Sequence, residues 1–208
     1  MRVLLKVLFV LCLSVFLIVG SVCFSDAQEG KIRAKIGIQI KTGDLIKRAK
    51  SQDRLKEGDL LRIYIQPEKT GYVYVVHTDL KKAALLNMVQ QDVQSSALVM
   101  PSLQEFYQVD GKSPQETFTI IIGTGKPPEA VNIFKAGEVP YARWAELEKV
   151  LLKKSKIDLS GKTEKPFPIS GNVRSATGVG DVDPFVSKLQ IYSGKSILVK
   201  RYEFRIKK

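Results

Sequence analysis

The chain has 208 residues, of which 33 are lysine or arginine, 21 are acidic and only two are cysteine. Both cysteines, Cys12 and Cys23, fall within the first 27 residues, so the chain that follows can form no disulfide, cysteine–metal site or cysteine nucleophile. Without Arg2, Lys6 and Asp26, residues 28–208 carry 31 basic and 20 acidic side chains, a formal charge of +11 that favours weak attraction to polyanions.

The N-terminal segment has the pattern of an export signal. Two basic residues precede an apolar run of 18 residues, 7–24, which is followed by the small-residue site Ser25-Asp26-Ala27. We predict that residues 1–27 are a Sec-type signal peptide and that the mature protein is periplasmic or secreted. Because the apolar run approaches membrane-spanning length, the alternative is an uncleaved anchor, the one case in which a membrane is an expected partner.

The first predicted strand is the clearest. Residues 31–40 alternate without a break between isoleucine or alanine on one phase and mostly lysine, arginine or glutamine on the other. Such a period of two indicates a half-buried strand. The polar stretch 47–56 that follows is predicted to be a connection or a lysine-rich exposed edge.

The next two predicted strands, 61–66 and 72–77, are separated by the turn sequence 67–71, and this spacing predicts a hairpin that Gly71 closes with a positive φ. Since 72–77 is apolar on both phases, this strand is predicted to be central and covered on both faces. A turn at Asp79-Leu80-Lys81-Lys82 predicts a third strand of the same meander over 83–88.

The rest of the chain adds more strands and one helix. Trp144, Leu147 and Leu151 lie at helical intervals after Pro140, and they predict an amphipathic helix around 140–153 that docks through Trp144. Residues 160–184 are rich in small and turn-forming residues and are predicted to be a long irregular segment. Further strands are predicted at 104–109, 117–122, 189–192 and 197–206. Residues 28–208 should therefore form one mainly β domain, a β-sandwich of about seven to eight short strands with one helix.

Few residues suggest a catalytic, phosphate-binding or metal-binding role. His77 is the only histidine, and the sequence places it at the end of a strand, at the rim of the sheet. Segment 123–126 superficially resembles a phosphate-binding loop, but Ile120 and Pro127 stand where that loop requires glycine and serine or threonine. Segment 178–183 carries two aspartates without the further ligands of a calcium loop, and is interpreted as a turn.

Two further sets of side chains have structural explanations. Glu146 and Glu148 are two residues apart on the predicted helix and should point apart, so they do not form an acid/base pair. The tyrosines Tyr64, Tyr72 and Tyr74, placed in strands predicted to pair, could form an exposed platform for sugar rings or bases, but core packing is the preferred interpretation.

Residues 57–64 (EGDLLRIY), 71–76 (GYVYVV) and 84–87 (ALLN) together resemble the bacterial domain-of-unknown-function family 4384. Its pattern is a Gly-Asp before an alternating strand, a Gly-Tyr-x-Tyr-Val strand, a turn and a short leucine-rich strand. The likeness covers roughly residues 50–125. It implies a small β-rich domain of exported bacterial proteins, with no established activity and no catalytic residues to transfer.

These observations predict a non-catalytic extracytoplasmic binding module whose partner is an unknown envelope or extracellular protein. The first alternative is a basic polyanion binder that recognises acidic lipid, lipopolysaccharide or acidic glycan, with nucleic acid less favoured. The second alternative is a carboxylate-based hydrolase. No catalytic, cofactor-binding or metal-ligating residue is assigned, and no cofactor is expected.

Overall fold

The computed structural model describes residues 31–87, 97–124, 129–155 and 183–207. These residues form two six-stranded sheets and one α-helix, which confirms the predicted mainly β, sandwich-like fold. The first sheet contains β1 (Ile32–Thr42), β2 (Leu45–Arg48), β4 (Leu60–Pro67), β7 (Leu98–Met100), β8 (Tyr107–Gln108) and β11 (Gln190–Gly194). The second contains β3 (Arg54–Lys56), β5 (Tyr72–Thr78), β6 (Lys82–Leu85), β9 (Gln115–Gly123), β10 (Val139–Pro140) and β12 (Ile197–Lys207).

The twelve described strands exceed the seven or eight predicted. The additional strands β2, β3, β7 and β10 have only two to four residues each, which is too short for a period-two pattern to be recognised. Strands β2 and β3 lie within or beside the stretch that the sequence indicated as a connection or an exposed edge. Strand β8 is shorter than the predicted strand at 104–109.

Strand β1 organises the first sheet. One of its edges pairs with β4 from Ala34 to Lys41, while its other edge pairs first with β11 and then with β2. All the apolar residues of its predicted inner phase are buried: Ile32, Ala34, Ile36, Ile38 and Ile40.

The predicted hairpin between β4 and β5 is wrong. Strand β4 pairs with β1, β7 and β8 in the first sheet, whereas β5 pairs with β6 and β9 in the second, so residues 67–71 cross from one sheet to the other. A sheet-crossing loop has the same turn residues as a hairpin, but here β1 presents a longer complementary edge to β4. The β5–β6 pairing of the predicted meander is confirmed.

Gly71 also has a different role from the predicted one. Its φ does not fall in the left-handed region, where the described glycines are Gly43, Gly58, Gly111 and Gly137. A Cβ at Gly71 would instead lie 2.1 Å from the carbonyl oxygen of Gly123, at the end of β9. Glycine is therefore required here because two backbones approach closely.

Both faces of β5 are covered, as predicted. Val73 and Val75 face the core between the sheets, while Tyr72, Tyr74 and Val76 face a second core beneath the helix. The first core draws residues from both sheets, and the second lies between the second sheet and the segments from Glu129 to Lys154. The described residues therefore form three layers, with the second sheet in the middle.

The helix, α1 (Tyr141–Lys154), matches the predicted range to within one residue. Trp144 and Leu151 are buried and Leu147 packs against the same cluster, which confirms the predicted docking stripe. The Trp144 ring lies 5.5 Å from the ring of Phe134, in a 3₁₀ helix over Glu129–Ala136 that the sequence pattern did not reveal.

Two sequence-based predictions lie largely outside the described residues. The leader 1–27 is outside them, as is the irregular segment up to residue 182; its end, Asp183, caps a second 3₁₀ helix over Pro184–Lys188. Among the helices of the described ranges, none combines the length and the apolar character needed to cross a membrane.

Candidate functional site

A cleft opens between the two sheets at one end of the sandwich, and we call it the rim cleft. Its volume is about 440 Å³. Apolar side chains from both sheets contribute to its lining: Leu61, Leu86, Tyr107 and Phe118. Around them stand four carboxylates, three lysines and the single histidine: Asp79, Asp110, Glu116, Glu138, Lys81, Lys82, Lys112 and His77.

The histidine is paired inside this cleft. His77 Nε2 contacts the carboxylate of Glu116 on the neighbouring strand β9, and the imidazole ring lies 5.0 Å from the ring of Phe118. The side chain of His77 is 31% exposed and that of Glu116 is 11% exposed. The predicted place of His77 at the rim of the sheet is confirmed, and the carboxylate orients its ring.

The sequence contains a feature from which the contact between His77 and Glu116 could have been predicted, although the strand patterns alone did not predict it. His77 follows Val73 and Val75 on the inward phase of β5, while Glu116 precedes Phe118 and Ile120 on the inward phase of β9. A polar residue at the end of an otherwise apolar inward phase lies where the core meets solvent. The two strands pair His77 with Phe118, which brings Glu116 within reach.

The turn from β5 to β6 forms one wall. The Asp79 carboxylate accepts hydrogen bonds from the backbone N–H groups of Lys81 and Lys82, and Leu80 between them has a φ of 67°. Burial by itself would raise the pKa of Asp79, but these N–H groups and nearby His77 outweigh it, so the pKa is lowered. This carboxylate is ionised at neutral pH.

The other charges at the mouth are also engaged. Lys82 Nζ donates to Glu138 at 2.6 Å, which raises the pKa of the lysine. Asp110 accepts the backbone N–H of Lys112 and lies 3.1 Å from its ammonium group, and these contacts lower the pKa of Asp110. A general acid requires a carboxyl group with a raised pKa, so the shifts of Asp79 and Asp110 are in the wrong direction for that role.

Ser113, which also lines the cleft, contacts backbone carbonyl groups. Its hydroxyl oxygen lies 2.8 Å from the carbonyl oxygen of Asp79 and 2.7 Å from that of Gln115. The hydroxyl therefore ties the loop before β9 to the turn after β5. Within the described ranges, no group of three or more histidine, cysteine or acidic residues is arranged to hold a metal ion.

The tyrosines do not form an exposed platform. Tyr64 is 0% exposed on the outer face of the first sheet, where its hydroxyl bonds Gln39 and Asp183 and its ring lies 4.9 Å from that of Phe185. Tyr72 and Tyr74 are buried in the second sheet, so the three tyrosines are not in paired strands. The preferred interpretation, core packing, is confirmed, although the assumed pairing was wrong.

The remaining sequence candidates are dispersed. Glu146 is exposed, whereas Glu148 is buried and contacts Thr119 and Arg201, so these glutamates do point apart. Gly123 ends β9 beneath the Tyr72 ring, and residues 125–128 of the loop that resembles a phosphate-binding loop lie outside the described ranges. Residues 178–182 of the aspartate-containing turn are outside them too.

Comparison with family models, curated proteins and solved structures finds no significant match. The likeness to the domain-of-unknown-function family 4384 therefore stays a prediction.

Proposed function

We propose that the protein is a non-catalytic extracytoplasmic binding module and that the rim cleft receives a segment of a partner protein. The observation that carries the proposal is the composition of the cleft. Although residues 28–208 have a formal charge of +11, the described residues of the lining include four carboxylates against three lysines and one histidine. A mixed ring of charges around an apolar floor suits a peptide segment better than a polyanion.

The hydrogen bonds that fix the walls of the rim cleft also favour a binding function. Its walls come from the turn after β5, the loop before β9 and strand β8. The first two are held in place by hydrogen bonds that the Ser113 hydroxyl donates and by those that the Asp79 carboxylate accepts. A preformed site loses less conformational freedom on binding than a flexible one. The lowered pKa values of Asp79 and Asp110 also make neither carboxylate suited to be the general acid that a carboxylate-based hydrolase needs.

The test is capture of partners from an envelope extract by residues 28–208 at low and high salt. The cleft variant is the double exchange Lys82→Glu with Glu138→Lys, which keeps the net charge and the ion pair but reverses the local charges. The matched control is Glu129→Lys with Lys135→Glu, which exchanges two exposed charges that do not line the cleft. Bound material is identified by mass spectrometry and by lipid and glycan assays.

We expect one protein to be retained at high salt by the wild type and the control, and to be lost by the cleft variant. Retention of that protein by all three forms would exclude the rim cleft as its site. Capture of mixed acidic lipids or glycans that washes off with salt would instead favour the polyanion alternative, because such binding weakens as counterions compete.

A further inference from the structure

A second cleft lies at the open side edge of the sandwich, and it differs from the rim cleft in charge. Strands β11 and β2 follow one another along the same edge of β1, and β12 of the second sheet stands opposite. The space between them has a volume of about 650 Å³. We call it the basic cleft; its polar lining includes Arg48, Lys50, Ser51 and Lys200, and among the described residues it shares none with the rim cleft.

The basic cleft has cations without acids. Arg48, Lys50 and Lys200 line it, and the described residues of its lining include no carboxylate. The nearest acid in sequence is Asp53, whose carboxylate accepts the backbone N–H of Lys50 at 3.1 Å and lies 3.5 Å from Lys47 Nζ. That carboxylate is therefore already held by its own turn.

Lys200 is the central feature. It lies on β12 and is half-buried, with its Nζ 2.8 Å from the hydroxyl oxygen of Ser51. The same ammonium lies 4.8 Å from the ring centre of Tyr192 and 5.1 Å from that of Tyr202. Within the described residues it has no ion-pair partner.

Partial burial of the Lys200 ammonium lowers the stability of the domain when no anion is bound. Burial of the ammonium lowers the pKa of Lys200, so the protein environment disfavours the charged form. The two tyrosine rings offset part of that cost and hold the ammonium in place. For stability alone, a methionine would fill the same space without the penalty of removing a charge from water.

We propose that the basic cleft binds a phosphate group carried by a larger molecule. A lysine ammonium, an arginine guanidinium and a serine hydroxyl supply several donors, which matches the several oxygens of a tetrahedral phosphate better than the two of a carboxylate. The cleft volume exceeds that of one phosphate group, which leaves room for the group to which the phosphate is attached.

The test uses residues 28–208, which contain every described residue of both hydrophobic cores. The first probe is inorganic phosphate, compared with chloride at the same ionic strength and pH and followed through backbone amide NMR signals. We expect saturable shifts at Arg48, Lys50 and Lys200 with phosphate alone. Shifts of equal size with both anions would overturn the proposal, because they would show only general screening.

Variants locate the site. Lys200→Met should weaken phosphate binding at least tenfold, whereas the control Lys135→Met, which removes an exposed lysine elsewhere, should leave the affinity unchanged. Lys200→Met should also raise the unfolding midpoint in chloride, so loss of binding cannot be attributed to unfolding. An affinity within twofold of the wild type for both Lys200→Met and Arg48→Gln would overturn the proposal.

Two further probes distinguish the sources of the phosphate. Glycerol 3-phosphate represents a soluble phosphomonoester, and vesicles of phosphatidylcholine with phosphatidic acid represent a lipid headgroup. Tighter binding of the soluble ester than of inorganic phosphate, with no gain on vesicles, assigns the site to a soluble ligand. Lys200-dependent vesicle binding assigns it to a headgroup, and failure of both esters to bind would refute a site for phosphate on a larger molecule.

Discussion

At the scale of single residues, this protein shows how one carboxylate can serve a turn and a cleft at once. Asp79 lines the rim cleft, but the contacts that lower its pKa are chiefly backbone N–H groups of its own turn. Its charge is thus part of the fold as well as part of the candidate site. Any substitution here has to be tested for stability before it is used to test binding.

We expect Asp79→Ala to lower the free energy of unfolding at pH 7 by about 1–2 kcal/mol, because two backbone N–H groups lose their acceptor. Asp79→Asn should lose less, since its amide oxygen can accept the same bonds. A carboxylate with a lowered pKa stabilises the fold above its unfolded-state pKa, and that contribution disappears as the pH falls through the folded-state pKa. Urea unfolding at pH 7 and pH 3 measures this: the difference between wild type and Asp79→Ala should shrink in acid, and a constant difference would contradict the argument.

Tyr64 has the opposite pH dependence. Burial is the main cause that raises its pKa to about 12, with Asp183 adding to the shift and Arg62 opposing it. A group with a raised pKa contributes its full stability below the unfolded-state value, near 10, and loses that contribution as the pH rises toward 12.

Tyr64→Phe should therefore cost about 1–3 kcal/mol at pH 7, where the hydroxyl is neutral and bonds Asp183 and Gln39. The free-energy difference from wild type should be the same at pH 7 and 9 and smaller at pH 11.5. Chemical denaturation at the three pH values checks this. A difference that stays unchanged up to pH 11.5 would show that the phenol ionises in the folded protein close to its ordinary pKa.

At the scale of elements, the helix depends on one aromatic anchor. Trp144 is 0% exposed and contacts Phe134, while Val150 on the outer face of α1 is 49% exposed. The indole N–H has no hydrogen-bond partner within the described residues, so its contribution comes from packing rather than from a polar contact.

Trp144→Ala should lower the free energy of unfolding by about 3–5 kcal/mol, because it leaves a large cavity between helix and sheet. Trp144→Phe should cost much less, since a ring remains and an unpaired donor is removed. Val150→Ala is the control and should change stability by no more than about 0.5 kcal/mol. Because Trp144 is the only tryptophan, far-UV circular dichroism is the appropriate probe. Equal losses for the alanine and phenylalanine variants would contradict a packing role.

The elements also show which features the sequence could predict. Periodicity located β1 and α1 because each contains at least three repeats of its pattern, and the two apolar phases of β5 predicted a central strand. The partner of β4 could not be predicted, since a sheet-crossing loop and a hairpin loop contain the same turn residues. The rim cleft could not be predicted without knowing the partner of β4, because Leu61 of the first sheet and His77 of the second sheet both line it.

At the scale of the whole molecule, the second sheet supports two cores at once. Its inner face packs against the first sheet, its outer face packs under the helix, and neither core is complete without it. The basic cleft and the rim cleft both lie where the sheets separate, at a side edge and at one end. We therefore expect residues 28–208 to unfold as one cooperative unit.

This expectation can be tested with a substitution far from the probe. Ile38→Val in β1 removes a methyl group from the core between the sheets and should cost about 0.5–1.5 kcal/mol. Trp144 fluorescence reports on the helix layer, while circular dichroism reports mainly on the sheets. Since the second sheet couples both cores, the variant should lower the thermal midpoint from both probes equally, by about 2–4 °C per kcal/mol. A shift in the circular dichroism transition alone would show that the helix layer unfolds separately.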